Sequence, residues 1–229
     1  MVTTMSDLFP LADFAGKARL FPLPNLVFFP QVMQPLHIFE PRYRQMTADA
    51  LEGDRLIALV LPRPGWEKDY AGSPEIHPVA CLGRILAEKK LDDGRFNILL
   101  RGTARIRIIK EIAGKTLYRE ARCEVLHERP IADEGRCLFW RTTLIDKAPR
   151  WLPKQAEIAE QFSKLLQSDL PLGALCDILA FALPLEAEFK QTLLEELRVE
   201  ARLQALHDLL EGCQTVVPPR KFPPEFSVN

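Results

Sequence analysis

Residues 20–43 read LFPLPNLVFFPQVMQPLHIFEPRY, an apolar stretch that proline interrupts repeatedly. Because proline blocks helix interiors and central strands, this pattern predicts short strands joined by turns. The stretch ends in Glu40-Pro41-Arg42-Tyr43, where Pro41 suits the first position of a helix, since its missing N–H would have no partner there. The predicted helix continues to Gly53, because glycine favours a C-terminal stop.

The residues that follow, up to about residue 129, have the pattern of further β-structure. Leu56–Leu61 is an unbroken apolar run ended by Pro62, which is typical of a strand buried on both faces. Asp92-Asp93-Gly94 is a hairpin turn signal, and alternation continues from Ala104 to Ile109 and from Leu117 to Leu126. Strands that follow one another through short turns predict a mostly antiparallel sheet, which can curl into a barrel.

The second half of the chain has helical periodicity. Helices are predicted to begin near Asp133, Pro153 and Pro171. A further helix is expected to run without a break from Pro184 to Gly212, a length of about 40 Å at the usual helical rise. The change of pattern near Pro130 predicts an α+β fold, in which a β-rich part precedes a helical bundle with one long helix.

The composition is that of an ordinary globular protein with a net charge of −1. The chain has neither the large basic excess that nucleic-acid binding favours nor an acidic tail. Its five cysteines are odd in number and include no Cys-x-x-Cys pair, which argues for a reducing compartment. With no signal-peptide pattern and no apolar run long enough to cross a bilayer, the expected location is the cytoplasm.

The sequence carries none of the common catalytic patterns. Gly114-Lys115-Thr116 resembles the end of a phosphate-binding loop, but Ile109 stands where that loop needs its first glycine. There is no Gly-x-Ser-x-Gly and no His-Glu-x-x-His, and the four histidines are far apart. We therefore expect no catalytic residue, no metal site and no cofactor.

Four arginines crowd the predicted hairpin, namely Arg95, Arg101, Arg105 and Arg107. One interpretation is a basic stripe for RNA phosphates. The other is a solvated strand face with one arginine paired to a carboxylate. A net charge near zero and few interleaved aromatic residues favour the second interpretation.

Residues 20–43 closely resemble the start of the N-terminal domain of Lon proteases. The likeness lies in Pro22-Leu23, Val27–Pro30, Pro35-Leu36 and Ile38–Tyr43, and in the later motifs Leu82-Gly83, Gly94–Asn97, Leu100–Gly102 with Arg105, Leu175–Ala180 and Lys190–Glu195. It covers about residues 18 to 212. The resemblance implies a β-rich pseudo-barrel of the PUA-like type, followed by a helical bundle.

The resemblance also implies a function. In full-length Lon proteases this domain recognises substrates and helps to assemble the hexamer, and the ATPase and the peptidase follow it in sequence. Since the present sequence stops at Asn229, we expect a non-catalytic polypeptide-binding module without those two domains. The expected partners are other polypeptides, with self-association left open, and neither a membrane nor a nucleic acid.

The expected division of the chain has four parts. Residues 1–17 form a flexible arm, 18–129 the β-rich subdomain, 130–212 the helical subdomain and 213–229 a proline-rich tail. Loops that expose aromatic side chains are common binding points. The candidate contact residues are accordingly Phe28, Phe29 and Met33, with Trp66 and Tyr70 in the loop after Pro62. Because adjacent strand residues face opposite sides, one of the two phenylalanines is expected to lie in the core.

The other residues of the likeness are expected to be scaffold rather than chemistry: Pro30, Pro35, Phe39, Glu40, Pro41, Arg42, Tyr43, Gly102 and Arg105. Glu40 or a nearby acid is predicted to pair with Arg105. Two alternative functions stay open at this point. An RNA-binding PUA-like protein would show salt-dependent binding that is lost on replacing Arg105 and Arg107. A hydrolase with an unrecognised site would show peptidase or ATPase activity when purified.

Overall fold

The computed structural model describes residues 14–69, 72–151 and 156–212. These residues divide into two compact units, with the division between His127 and Glu128. The first unit is rich in strands and the second is helical, so the predicted α+β class is confirmed. The predicted arm up to residue 13, Tyr70 and the proline-rich tail from residue 213 lie outside the described residues.

The described part of the first unit contains six strands, one α-helix and a short 3-10 turn at Trp66–Asp69. The strands are β1 (Lys17–Pro22), β2 (Met33–Ile38), β3 (Leu56–Val60), β4 (Val79–Lys90), β5 (Phe96–Ile112) and β6 (Arg119–Leu126). The helix, α1 (Pro41–Glu52), begins with proline and stops at Gly53, as predicted.

The six strands form one mixed sheet in the order β2-β5-β4-β3-β1-β6. Strands β1 and β3 are parallel, and the other pairings are antiparallel. Because β6 pairs with both β1 and β5, the sheet curls back on itself. It does not make a regular closed barrel, since β2 extends it beside the first half of β5. Strand β5 runs unbroken through Gly102.

The inner face of this sheet carries the core of the first unit. All five residues of β3 are buried, which explains its unbroken apolar sequence. Helix α1 buries Tyr43, Met46 and Ala50, and the Tyr43 ring lies 4.2 Å from that of Phe21, centroid to centroid. The apolar face of α1 therefore covers part of the sheet through aromatic and aliphatic contacts.

Two glycines that face each other on β4 and β5 make room for the segment before β2. A Cβ atom on Gly102 would lie 2.0 Å from the carbonyl oxygen of Phe29. One on Gly83, the register partner of Gly102, would lie 2.7 Å from Leu100 and 3.0 Å from the ring of Phe28. The chain can therefore cross β5 closely only because both positions lack a side chain.

We predict that Gly102→Ala destabilises the first unit by about 3 kcal/mol or more, because the new methyl group meets backbone rather than a movable side chain. Gly114→Ala is the matched control, since its Cβ would have no neighbour closer than 3.6 Å. Equilibrium unfolding in denaturant, followed by circular dichroism, measures both. Equal stability of the two variants would contradict the assigned role of Gly102.

The described part of the second unit contains five helices: α2 (Glu134–Trp151), α3 (Ala156–Leu166), α4 (Leu172–Ala182), α5 (Ala187–Glu195) and α6 (Val199–Gly212). The single long helix predicted from Pro184 to Gly212 is wrong, because the chain breaks between α5 and α6. There the backbone of Arg129 donates to the Leu197 carbonyl at 2.7 Å and accepts from the Val199 N–H at 3.0 Å. These two hydrogen bonds take the place of the intrahelical hydrogen bonds that are missing at the break.

A buried arginine holds together the segment before α2 and the helices α4 and α6. Arg202 of α6 has no exposed surface. Its guanidinium donates to Asp177 Oδ1 on α4 at 3.0 Å and to Glu128 Oε2 at 2.6 Å. The Glu128 carboxylate lies close to Gly173, where a Cβ would come within 2.6 Å of both of its oxygens. Removing the guanidinium would leave a buried carboxylate without this counter-charge.

We predict that Arg202→Met lowers the free energy of unfolding of the second unit by about 3 kcal/mol or more, because Asp177 is buried. Arg198→Met is the control, since Arg198 pairs with Glu196 in solvent and such pairs contribute only about 0–1 kcal/mol. Thermal and denaturant unfolding of both variants compare the two sites. A loss no larger for Arg202→Met than for Arg198→Met would overturn the assignment.

Candidate functional site

The outward face of the sheet next to β2 carries apolar side chains in solvent. Along β2, Met33, Pro35 and His37 are exposed and alternate with more buried residues. Pro35 pairs in register with Leu99 of β5, and Leu99 pairs in turn with Ala87 of β4. Because residues that face each other across strands share a face, these side chains form one continuous surface. The Met33 side chain on this surface is 59% exposed.

A β-bulge adds one more apolar side chain to this surface. The register of β4 against β5 shifts between Ile85 and Ala87, so Leu86 is an extra residue on β4. Such a bulge redirects a side chain out of the regular alternation. Leu86 is consequently exposed, whereas Ile85 beside it is buried. We call the resulting set the open-sheet surface, and its members are Met33, Pro35, His37, Phe39, Leu86, Ala87 and Leu99.

Polar groups border the open-sheet surface at both ends. At one end the Nδ1 atom of His37 lies 2.7 Å from the Oδ1 atom of Asn97, and its ring stacks at 6.2 Å from that of Phe39. At the other end Arg101, the register partner of Met33, donates to the Gln31 side chain at 2.8 Å. The arrangement of an apolar centre with a polar rim is common at binding surfaces.

The turn between β4 and β5 adds a fixed charge pair near His37. Arg95 donates to Asp93 at 2.6 Å, and this hydrogen bond holds the pKa of the Asp93 carboxyl below its usual value. The Nη1 atom of Arg95 also lies 3.3 Å from His37 Nε2. Gly94, with a φ of 81°, permits the tight turn that brings these groups together.

The structure separates the contact residues that the sequence suggested. Phe28 and Phe29 are only 1% and 0% exposed, so both are core residues and neither can contact a partner from the surface. Met33 lies on the open-sheet surface. Trp66 is half-buried in the loop between β3 and β4, which rejoins the sheet at Val79 opposite Arg107, away from the pairing of Met33 with Arg101.

All but two of the predicted scaffold residues lie outside the open-sheet surface. Glu40 accepts from Arg42 at 2.9 Å beside the start of α1. Arg105 is buried, and its pairing with Glu40 or a nearby acid stays a prediction. Pro35 and Phe39 are the exceptions, because both belong to the open-sheet surface.

The four hairpin arginines do not share one exposed face. Arg95 and Arg107 each form an ion pair with a neighbouring carboxylate, Asp93 and Glu124 respectively. Arg105 is buried. Three of the four arginines in the basic stripe that the sequence suggested are therefore ion-paired or buried.

Sequence reasoning missed Leu86 and Leu99 altogether. The exposed side of β2 was readable in principle, because Met33, Pro35, His37 and Phe39 follow a period of two and proline is typical of an edge strand. Leu86 left no comparable signal, since its exposure comes from a register shift with another strand.

Within the described ranges, no three His, Cys, Asp or Glu side chains come together as metal ligands, and no helix could span a membrane.

The second unit has an apolar groove of its own, with a volume of about 430 Å³. Pro130, Ile131, Leu138, Leu172 and Val199 supply most of its apolar lining. Leu138 and the neighbouring Phe139 are largely exposed on α2. This groove is a second place where apolar surface meets solvent.

Comparison with solved structures defines the class of fold. The N-terminal domain of a Lon protease from the Mycobacterium avium complex superposes with a TM-score of 0.67 at 16% identity, over 86% of this chain and 98% of that one. A Lon N-terminal domain protein from Xanthomonas campestris gives a TM-score of 0.61 at 22% identity, over 84% and 97%. The fold is thus that of a Lon N-terminal domain.

Comparison by sequence defines the family. Residues 17–212 match the model of the substrate-binding domain of the ATP-dependent protease La (LON), and the chain belongs to that family. It is 25% identical over 198 residues to a Lon protease of Anaeromyxobacter dehalogenans, and 29% identical over 216 residues to Lon protease 2 of Herpetosiphon aurantiacus. These alignments cover 86% and 90% of this chain but only 23% and 26% of those proteins. The chain therefore spans about a quarter of the relatives' length.

Proposed function

We propose that this chain is a polypeptide-recognition module, which binds apolar segments of other polypeptides on the open-sheet surface and performs no chemistry on them. The observation that carries the proposal is the row of apolar side chains that β2, β5 and β4 hold in solvent. None of these side chains is among the buried core residues of the first unit, so the core does not require them to be apolar. Contiguous exposed apolar surface commonly marks an interaction site.

The composition of the surface suits a partner that is not defined by one sequence. Met33 is long and unbranched, and such side chains adapt to differently shaped apolar partners. Pro35, Leu86 and Leu99 add rigid apolar area around it, and no charged side chain is among the seven members of the surface. Recognition through apolar burial is non-directional, so it tolerates many sequences. Membership in a substrate-binding family supports the same role.

We predict that the double variant Met33→Ser, Leu86→Ser weakens binding of a labelled, permanently unfolded polypeptide by roughly tenfold to thirtyfold. Both side chains are exposed, so each loses apolar contact with the partner and little with its own fold. Burial of such a side chain contributes about 1.5–3 kcal/mol when complete, and about 1.4 kcal/mol corresponds to tenfold in affinity. Fluorescence anisotropy with the full chain measures the change.

Leu117→Ser is the matched control, because Leu117 is exposed in the same unit but lies in the turn between β5 and β6. It should bind like the unchanged chain. Leu138→Ser, in the groove of the second unit, tests the other apolar surface in the same assay. If Leu138→Ser abolishes binding and the double variant retains it, the site belongs to the second unit and this assignment is wrong.

The proposed absence of chemistry has its own test. We expect the purified chain to release no peptides from an unfolded substrate and no phosphate from ATP, because the sequence has neither a Gly-x-Ser-x-Gly motif nor a phosphate-binding loop. Peptide release followed by mass spectrometry and a coupled phosphate assay measure both. Turnover that survives repurification and tracks the chain on a sizing column would refute the proposal.

A further inference from the structure

Strand β2 is the edge of the sheet in the part of the chain that the structure describes, since it pairs there with β5 alone. The Gly102 N–H donates to the Val32 carbonyl at 2.8 Å. In an antiparallel pair, hydrogen-bonded positions alternate with positions whose N–H and C=O groups point away. With Met33 opposite Arg101, the positions that point away from β5 are therefore 33, 35 and 37.

The middle one of these three outward positions is closed to a further strand. Residue 35 is proline, which has no N–H to donate. Its carbonyl oxygen accepts a hydrogen bond from the side chain of Gln34, with Nε2 at 2.9 Å. A polypeptide that added to this edge would need a donor and an acceptor at every second residue. At position 35 it would find no donor, and it would have to compete with the Gln34 side chain for the acceptor.

We propose that Pro35 and Gln34 block strand addition at β2, so that the partner polypeptide is held on the open-sheet surface by its side chains alone. This inference rests on the proposed function and specifies its ligand class, namely apolar segments recognised without backbone pairing. The same blocked edge also prevents two copies of the chain from joining edge to edge, a common hazard of exposed strands.

The first test compares one labelled apolar peptide with two depsipeptides of the same side chains, in which either set of alternate amide N–H groups is replaced by ester oxygen. All three should bind the full chain with affinities within about threefold of one another, because no backbone donor of the ligand is used. A loss of tenfold or more for either depsipeptide would show strand pairing and overturn the inference, while the proposed function would stand.

The second test does not need a ligand, so it decides the inference even if no peptide binds and the proposed function fails. Pro35→Val with Gln34→Val restores a donor and frees an acceptor on the edge. We expect sedimentation velocity to show concentration-dependent self-association beyond that of the unchanged chain. His37→Val is the control, because it raises apolar and β-forming character in the same strand without adding a donor. Equal behaviour of the two variants would overturn the inference.

Discussion

The close approach of the Phe29 carbonyl to the backbone of Gly102 is the constraint on which the first unit depends. At that point the chain crosses β5 with no room for a single methyl group. The hydrogen bonds on either side, from Gln31 N–H to the Gly102 carbonyl and from Gly102 N–H to the Val32 carbonyl, then fix where β2 begins. The position of β2, and with it the outward-facing side chains of that strand, follows from a contact that only glycine allows.

The same contact explains why the two phenylalanines could not be placed from the sequence. The expectation that one of them would face outward assumed a strand, in which neighbours alternate. Phe28 and Phe29 instead lie in an irregular segment, bounded by Asn25 and Gln31 at positive φ. In such a segment, successive side chains do not alternate between two faces. Both side chains turn inward, and Phe28 packs against the space left by Gly83. The local sequence predicted that this aromatic segment matters. The inward direction of its side chains, however, depends on Gly83 and Gly102, which are distant in sequence.

Features governed by neighbours in sequence were predictable, and features governed by distant backbone were not. The buried run of β3, the turn at Gly94 and the start of α1 at Pro41 each have a local cause. The break between α5 and α6 has a distant one, since helical periodicity continues through Leu197 while its carbonyl is taken by Arg129. The bulge at Leu86 likewise depends on the register between two strands, which no window of sequence contains.

A surface that binds by side chains alone has an energetic consequence for the proposed role. Apolar contacts contribute free energy in proportion to area and impose little direction, so different segments can bind with similar, modest affinity. Strand addition would strengthen each complex through a ladder of backbone hydrogen bonds, but it would demand an extended ligand in one register. An edge closed at Pro35 therefore favours breadth of recognition over strength at a single site. Higher overall affinity would then have to come from several apolar segments of one partner, or from several copies of the module acting on it together.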